Sequence, residues 1–209
     1  MIAANRPIEV VDFVLHGLAS QLAVMRDGGA IEVGVIGREG TTGLPLFLGA
    51  SETPILTVMQ VPGEAMRISA GAFRDAAERL PTLRRMLRLY AGSTVSTTAW
   101  LVACNRAHAI EQRLARWLLM THDRVLGDRF RLTHEFLSQM MGVRRASVTE
   151  AAGRFQTAGL IDYSRGVITI LDRPGLEAAA CECYWVVTGE WDRLLGTDFL
   201  GSRKRQPRD

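Results

Sequence analysis

The first seventy residues show apolar positions in short runs separated by turn residues. Ile8–Leu15 and Ser20–Arg26 are apolar-rich, Asp27-Gly28-Gly29 is a turn signal, and Ala30–Ile36 follows with β-branched residues, a hairpin pattern. Gly37-Arg38-Glu39-Gly40 and Gly43-Leu44-Pro45 punctuate a loop. Ile55–Val61 alternates, Pro62-Gly63 turns, and Glu64–Ser69 alternates again, so the front predicts about five strands and no long helix, half of a sandwich or roll.

Near residue 70 the period changes. Ser69 or Ala70 begins a short helix through Leu80, and Pro81 suits the first turn of the next. Leu83, Leu87, Tyr90, Thr94, Thr97, Leu101 and Cys104 then alternate spacings of four and three, a heptad seam. With no obvious partner in its own chain, the seam predicts a parallel helix pair across a dimer axis. The alternative is one helix packed on its own β-domain. A further helix spans about His108 to Leu126, with Leu114, Trp117, Leu118 and Val125 as its buried stripe, and Gly127-Asp128 ends it. Phe130-Arg131-Leu132 reads as a very short strand.

The next stretch is the most specific. Thr133 is a good N-cap for a helix of about two turns whose apolar face is Phe136, Leu137 and Met140. Gly142 supplies the left-handed residue of a tight turn. A second helix, about Arg144 to Ala158, buries Val148, Ala151, Ala152 and Phe155 and turns Ala146, Glu150 and Gly153 outward. Arg145 and Thr149 flank that outward face on one side, and Arg154 on the other. Asp162–Ser164, the Arg165-Gly166 turn and Val167–Leu171 then predict a β-hairpin. Helix, turn, helix and wing can place the second helix in a major groove.

Charge supports a polyanionic partner. Residues 1–80 carry a net −3, residues 81–106 carry +4, residues 107–176 carry +3 and residues 177–209 carry −1. A basic middle behind an acidic front suits nucleic acid. No apolar run reaches the length of a membrane span, and the start lacks a signal-peptide pattern. The sparse, odd cysteine count, Cys104, Cys181 and Cys183, fits a reducing cytoplasm.

Helix, four-residue turn, helix and wing in this order resemble the Crp/Fnr family of regulators. Gln112-Arg113-Leu114-Ala115-Arg116-Trp117-Leu118-Leu119 is similar to that family's first DNA-domain helix, and the 37–45 loop to the Gly-rich turn of its cyclic-nucleotide-binding-like β-roll. The resemblance implies an α+β fold. An N-terminal β-roll occupies 1–80, shortened because about five strands stand where the family's roll has about eight. A dimerisation helix spans 81–106, a winged helix-turn-helix 107–176 and a C-terminal extension 177–209. Chemically it implies a homodimer on a pseudo-palindromic double-stranded DNA site. Arg144, Arg145, Ser147, Thr149, Glu150, Arg154 and Arg165 would touch DNA. Leu83, Leu87, Tyr90, Thr94, Thr97 and Leu101 would line the dimer seam. RNA polymerase and a small-molecule effector are left open as further partners, and Thr97 and Thr98 fall where the family's dimer helix reaches an effector. Cyclic AMP is not the expected effector. Leu44 stands where cyclic AMP-binding members have a ribose-binding Glu, and no Lys or Arg lies between Arg38 and Arg67 to meet its phosphate.

Other chemistry is thin. Cys104 and His108 stand i, i+4 on a helix, which brings haem or a metal to mind. Cys181-Glu182-Cys183 could be redox-active or ligate a metal across subunits. Neither pair is assigned a role, and no metal and no cofactor is expected. The Cys cluster of the family's iron–sulfur members, near the N-terminus, has no counterpart here. No Ser/His/Asp order, phosphate-binding loop or carboxylate pair suggests an enzyme. The alternative function is an interaction module whose helix-turn-helix packs on a partner protein. From Trp185 onward, including Arg203-Lys204-Arg205, the chain reads as a partly ordered extension.

Overall fold

The structure is a computed structural model, and it describes residues 1–195. The front is a sheet of three strands, β1 (Val10–Val24), β2 (Ala30–Ile36) and β3 (Leu56–Ser69), in the order β2-β1-β3 and antiparallel throughout. The runs expected as four separate strands are two long ones. What reads as punctuation is a bend: the β1–β3 register shifts between Val14 and Ala19, where Gly17 (φ +93°) lies against Gly63. A Cβ on Gly17 would sit 2.9 Å from the Gly63 Cα, so bare backbone is what lets both strands run through the bend. Pro62, which cannot donate to a ladder, falls in the same irregularity, between the paired residues Val61 and Glu64.

A short helix, α1 (Leu44–Phe47), follows the Gly-rich loop, and α2 (Ala70–Arg79) starts on a Ser69 cap that accepts from the Ala72 N–H. Val11, Leu46, Phe73 and Leu87 pack together beneath them. The long helix α3 (Pro81–Ala107) runs on to α4 (Ile110–His122), β4 (Arg129–Arg131), α5 (His134–Met141) and α6 (Arg145–Thr157). The hairpin β5 (Ile161–Ser164) and β6 (Val167–Ile170) pairs with β4 in the order β4-β6-β5. Then come α7 (Arg173–Ala179) and α8 (Cys183–Leu195).

The seam of α3 faces inward. Leu87, Tyr90, Thr97 and Cys104 are buried within the chain, and Leu83, Thr94 and Leu101 are half-buried. The partner that the sequence did not reveal is α8, which lies along α3 and sets Trp191 against Tyr90 with ring centroids 5.7 Å apart. The expectation of a partly ordered tail therefore gives way over Trp185–Leu195: Val187 and Trp191 are core residues, as is Tyr184 just before them. Arg203-Lys204-Arg205 lies outside the described residues. Arg173 fastens this end to α4, donating to Asp123 (2.7 Å) and to the Tyr184 hydroxyl (2.6 Å), while Tyr184 donates to the other Asp123 oxygen (2.9 Å).

Sheet and helix-turn-helix share one core. Leu18 and Val61 join Leu114, Leu118, Leu137, Val148, Ile168 and Leu176. Two polar links cross the same boundary. Trp117 Nε1 donates to Glu32 on β2 (2.8 Å), and Arg124 Nε donates to Glu39 in the Gly-rich loop (2.6 Å), with both members of the second pair essentially inaccessible to water.

Candidate nucleic-acid interface and the hinge beside it

The helix-turn-helix is built by local signals. Thr133 caps α5, accepting from the Phe136 N–H (3.1 Å). Gly142 ends it in the left-handed conformation (φ 62°, ψ 39°), so the chain reverses within three residues before α6. Arg113 of α4, itself buried, donates to the Met141 carbonyl (2.6 Å) and so satisfies one of the orphan acceptors at the end of α5. Val148, Ala151, Ala152 and Phe155 bury one side of α6, as the spacing predicts. The wing turns at Arg165 (φ 51°) and Gly166 (φ 75°), two left-handed residues in succession, as a tight two-residue hairpin requires. His134 ties the parts together: its ring stacks on Tyr163 of the wing at 4.0 Å, and its Nδ1 lies 2.9 Å from the Thr149 hydroxyl on α6.

The residues expected at DNA separate into two groups. Arg144, Arg145 and Arg165 are exposed, and Arg145 is held only by a 3.9 Å approach to Glu135, both side chains well exposed; such a pair contributes little. Ser147 is half-buried at the start of α6. Thr149, Glu150 and Arg154 are already engaged within the chain. Thr149 donates to the Arg145 carbonyl (3.0 Å), and Arg154 donates to Glu150 (2.6 Å) and to Glu111 of α4 (2.8 Å). An exposed arginine at the leading end of a helix is free to meet a base or a phosphate.

Residues 112–179 match the Crp-like helix-turn-helix domain. The C-terminal part of the chain therefore carries a Crp-like helix-turn-helix domain. Its fold is that of solved regulators at low identity. The structure of TTHB099, a CRP-family transcriptional regulator from Thermus thermophilus, superposes with a TM-score of 0.71 at 16% identity, over 86% of this chain and 92% of that one. For TTHA1359, a CRP/FNR-family regulator from the same organism, the TM-score is 0.65 at 19% identity, over 86% and 96%. For FixK2 from Bradyrhizobium japonicum it is 0.64 at 13% identity, over 87% and 92%. No curated protein matches the sequence. No described helix is long and apolar enough to cross a membrane.

The positions expected at an effector do not converge. Thr97 is buried, and its hydroxyl finds no hydrogen-bond partner among the described residues; Thr98 is exposed. An open groove of about 240 Å³ lies elsewhere, between the Gly-rich loop and α3, lined by Phe13, Arg38, Gly40, Met86 and Tyr90 among others. Burial beside Glu39 raises the Tyr90 phenol above its ordinary range, so Tyr90 stays neutral there.

The hinge between α3 and α4 holds what the sequence treated as two separate pairs. Cys104 in the last turn of α3, His108 just past it, and Cys181 and Cys183 at the start of α8 place their donor atoms within 4.8 Å of one another. Cys104 Sγ and Cys181 Sγ are 3.5 Å apart, and Cys183 Sγ lies 3.6 Å from His108 Nδ1. The other His108 nitrogen, Nε2, lies 3.1 Å from Glu182. The Cys181 hydrogen bond, with Arg116 nearby, pulls the Cys104 thiol below its ordinary range, and the same contact pushes Cys181 up. Cysteine spacing alone could not reveal this cluster, because its halves lie more than seventy residues apart and meet only when α8 docks on α3.

Proposed function

We propose that the protein is a transcription regulator that binds a pseudo-palindromic DNA site as a homodimer, each subunit reading one half-site with α6. The observation that carries the reading is the exposed N-terminal end of α6, with Arg144 and Arg145 in front of a Crp-like helix-turn-helix. Two-fold symmetry would set two such helices about 34 Å apart, in successive major grooves. Arg145 is the base-reading candidate, because an arginine fork can meet guanine O6 and N7 together. Arg144, Ser147 and the wing residue Arg165 would hold phosphates. Thr149, Glu150 and Arg154 would set the surface of α6, with Glu150 free to meet a cytosine amino group only by releasing Arg154.

The interaction-module alternative needs a partner on the helix-turn-helix. The chain already supplies one for α5, which packs on β2, and leaves the outward face of α6 bare. That asymmetry favours DNA. Cyclic AMP is not the expected effector. The groove beside the Gly-rich loop offers Arg38, but Glu39 next to it is committed to Arg124, and a buried phosphodiester needs a cation or a dense set of donors.

Selection of bound duplexes from random DNA by the purified chain at moderate salt tests the proposal. A two-fold consensus with half-sites about one helical turn apart is expected. Binding without any preference would defeat it.

A further inference from the structure

We propose that Cys104, His108, Cys181 and Cys183 bind one zinc-class divalent ion, a structural metal that clamps the start of α8 to the end of α3. Three thiolates and one imidazole form a closed donor set of the kind that structural zinc takes. The geometry is close to what a single tetrahedral ion requires. Zinc–sulfur and zinc–nitrogen bonds of about 2.3 and 2.0 Å put neighbouring donors roughly 3.5–3.7 Å apart. The cluster has a sulfur–sulfur separation of 3.5 Å and a sulfur–nitrogen separation of 3.6 Å, with every donor inside a 4.8 Å span. An iron–sulfur cluster would need its cysteines spread around several irons, wider than this. A disulfide would use two cysteines and leave the third thiol and the imidazole unexplained.

Two features of the surroundings point the same way. His108 presents Nδ1 to Cys183 and holds Nε2 against the Glu182 carboxylate, the outer contact that orients a metal-bound histidine and strengthens it as a ligand. All three sulfurs are buried, so three thiolates with no metal would be costly, while with a dication they leave one net negative charge. Arg113 and Arg116 lie near enough to the cluster to interact with Cys104, and they offset that charge. Binding releases the thiol protons to solvent and involves no electron transfer. The ligands come from the joint where α3 ends and from the segment just beyond the helix-turn-helix, so the ion would fix how those two parts meet. The inference does not rest on DNA binding, and its test uses none.

The experiment is metal analysis and cobalt titration of the reduced full-length chain, prepared without oxygen. We expect about one zinc per chain after exposure to zinc. Cobalt(II) should add the visible bands of tetrahedral thiolate coordination and saturate at one equivalent. Cys181→Ser and Cys183→Ser should each lower metal affinity by at least about tenfold. Glu182→Gln, which keeps every ligand, should weaken it by about 10- to 100-fold. Far-UV circular dichroism shows whether each variant folds. If a cysteine variant fails to fold, the wild-type titration and Glu182→Gln still decide. Absence of cobalt bands from the folded, reduced wild type overturns the proposal, as does iron with acid-labile sulfide, or a protein that takes up no metal and forms only a Cys104–Cys181 disulfide on exposure to air.

Discussion

Arg145 and Arg165 differ in how each would meet DNA, although both are exposed arginines with little to hold them at home. In the proposed complex, Arg145 at the leading end of α6 would reach base edges, whereas Arg165 at the tip of the wing would lie over the DNA backbone. Arg145→Ala should cost about 1–3 kcal/mol on the preferred duplex and relax the preference at one base position. Arg165→Ala should weaken all sequences alike and flatten the salt dependence of binding. Competition binding across a set of single-base variants at two salt concentrations separates the two; an unchanged consensus for Arg145→Ala would mean that its 3.9 Å approach to Glu135 is its main role. The buried pair Glu39–Arg124 is the opposite kind of residue. Arg124 also donates to the Met120 carbonyl (2.8 Å), and Glu39 also accepts from the Gly37 N–H (3.0 Å). Arg124→Met should destabilise the fold by about 3–5 kcal/mol, because Glu39 is left charged and dry; adding Glu39→Leu should restore part of that loss in thermal melts. The residues of the helix-turn-helix were legible in the sequence because capping, the Gly142 turn and the buried stripe of α6 are all local. Glu39–Arg124 was not, because nothing in the sequence sets a loop residue opposite a residue 85 positions away.

At the level of elements, β2 and α4 meet through Glu32. Its carboxyl is enclosed between the Ser20 hydroxyl (2.7 Å) and Trp117 Nε1 (2.8 Å), although part of the residue stays exposed. Desolvation pushes its pKa from 4.5 up to about 7, against the pull of those two hydrogen bonds and of Arg116 and Arg124. A carboxyl raised in the folded state binds its proton more tightly there than in the unfolded chain. Its contribution is therefore complete below about pH 4.5 and is lost as the pH rises through about 7. Denaturant midpoints should fall between pH 5 and pH 8 by the equivalent of roughly 2 kcal/mol, and Glu32→Gln, which stays neutral, should remove that part of the fall. Parallel curves for wild type and Glu32→Gln would show that the carboxyl is ionised throughout. The same scale shows why some elements misled. Gly17 and Pro62-Gly63 carry turn chemistry, yet they bend two continuous strands, because a sheet can absorb a bulge wherever two glycines let backbones touch. The stripe of α3 was expected to face a second subunit, but periodicity records that a face is buried, not what buries it. Here the cover is the sheet and α8 of the same chain.

For the whole molecule, that inward seam moves the dimer question to another face of α3. Roughly a third of a turn away, Arg88, Val95, Thr98, Ala99, Val102 and Arg106 are exposed, with Ala91 half-buried beside them and Gly92 exposed. Val95 at 71% and Val102 at 67% are among the most exposed large apolar side chains of the described chain. They recur at a spacing of seven with Arg88 before them and small residues between them, so two such helices could approach closely along a two-fold axis. A face of this kind is costly to leave in water along a 27-residue helix, and the basic residues at Arg88 and Arg106 would sit toward the ends of the contact, where they stay hydrated. We therefore expect Val95→Glu with Val102→Glu to convert a dimer into folded monomers, since burying glutamates against their own symmetry mates is unfavourable while each subunit keeps its own core. Leu87→Asp, on the inward stripe, should instead unfold the subunit, because Leu87 is 3% exposed and packs on Val11 and Phe73. Light scattering and circular dichroism on the same samples distinguish the outcomes. A wild-type mass near 23.0 kDa at working concentrations would mean that α3 does not pair at all. A doubled mass that survives both glutamates would place the two-fold contact on a surface other than this stripe.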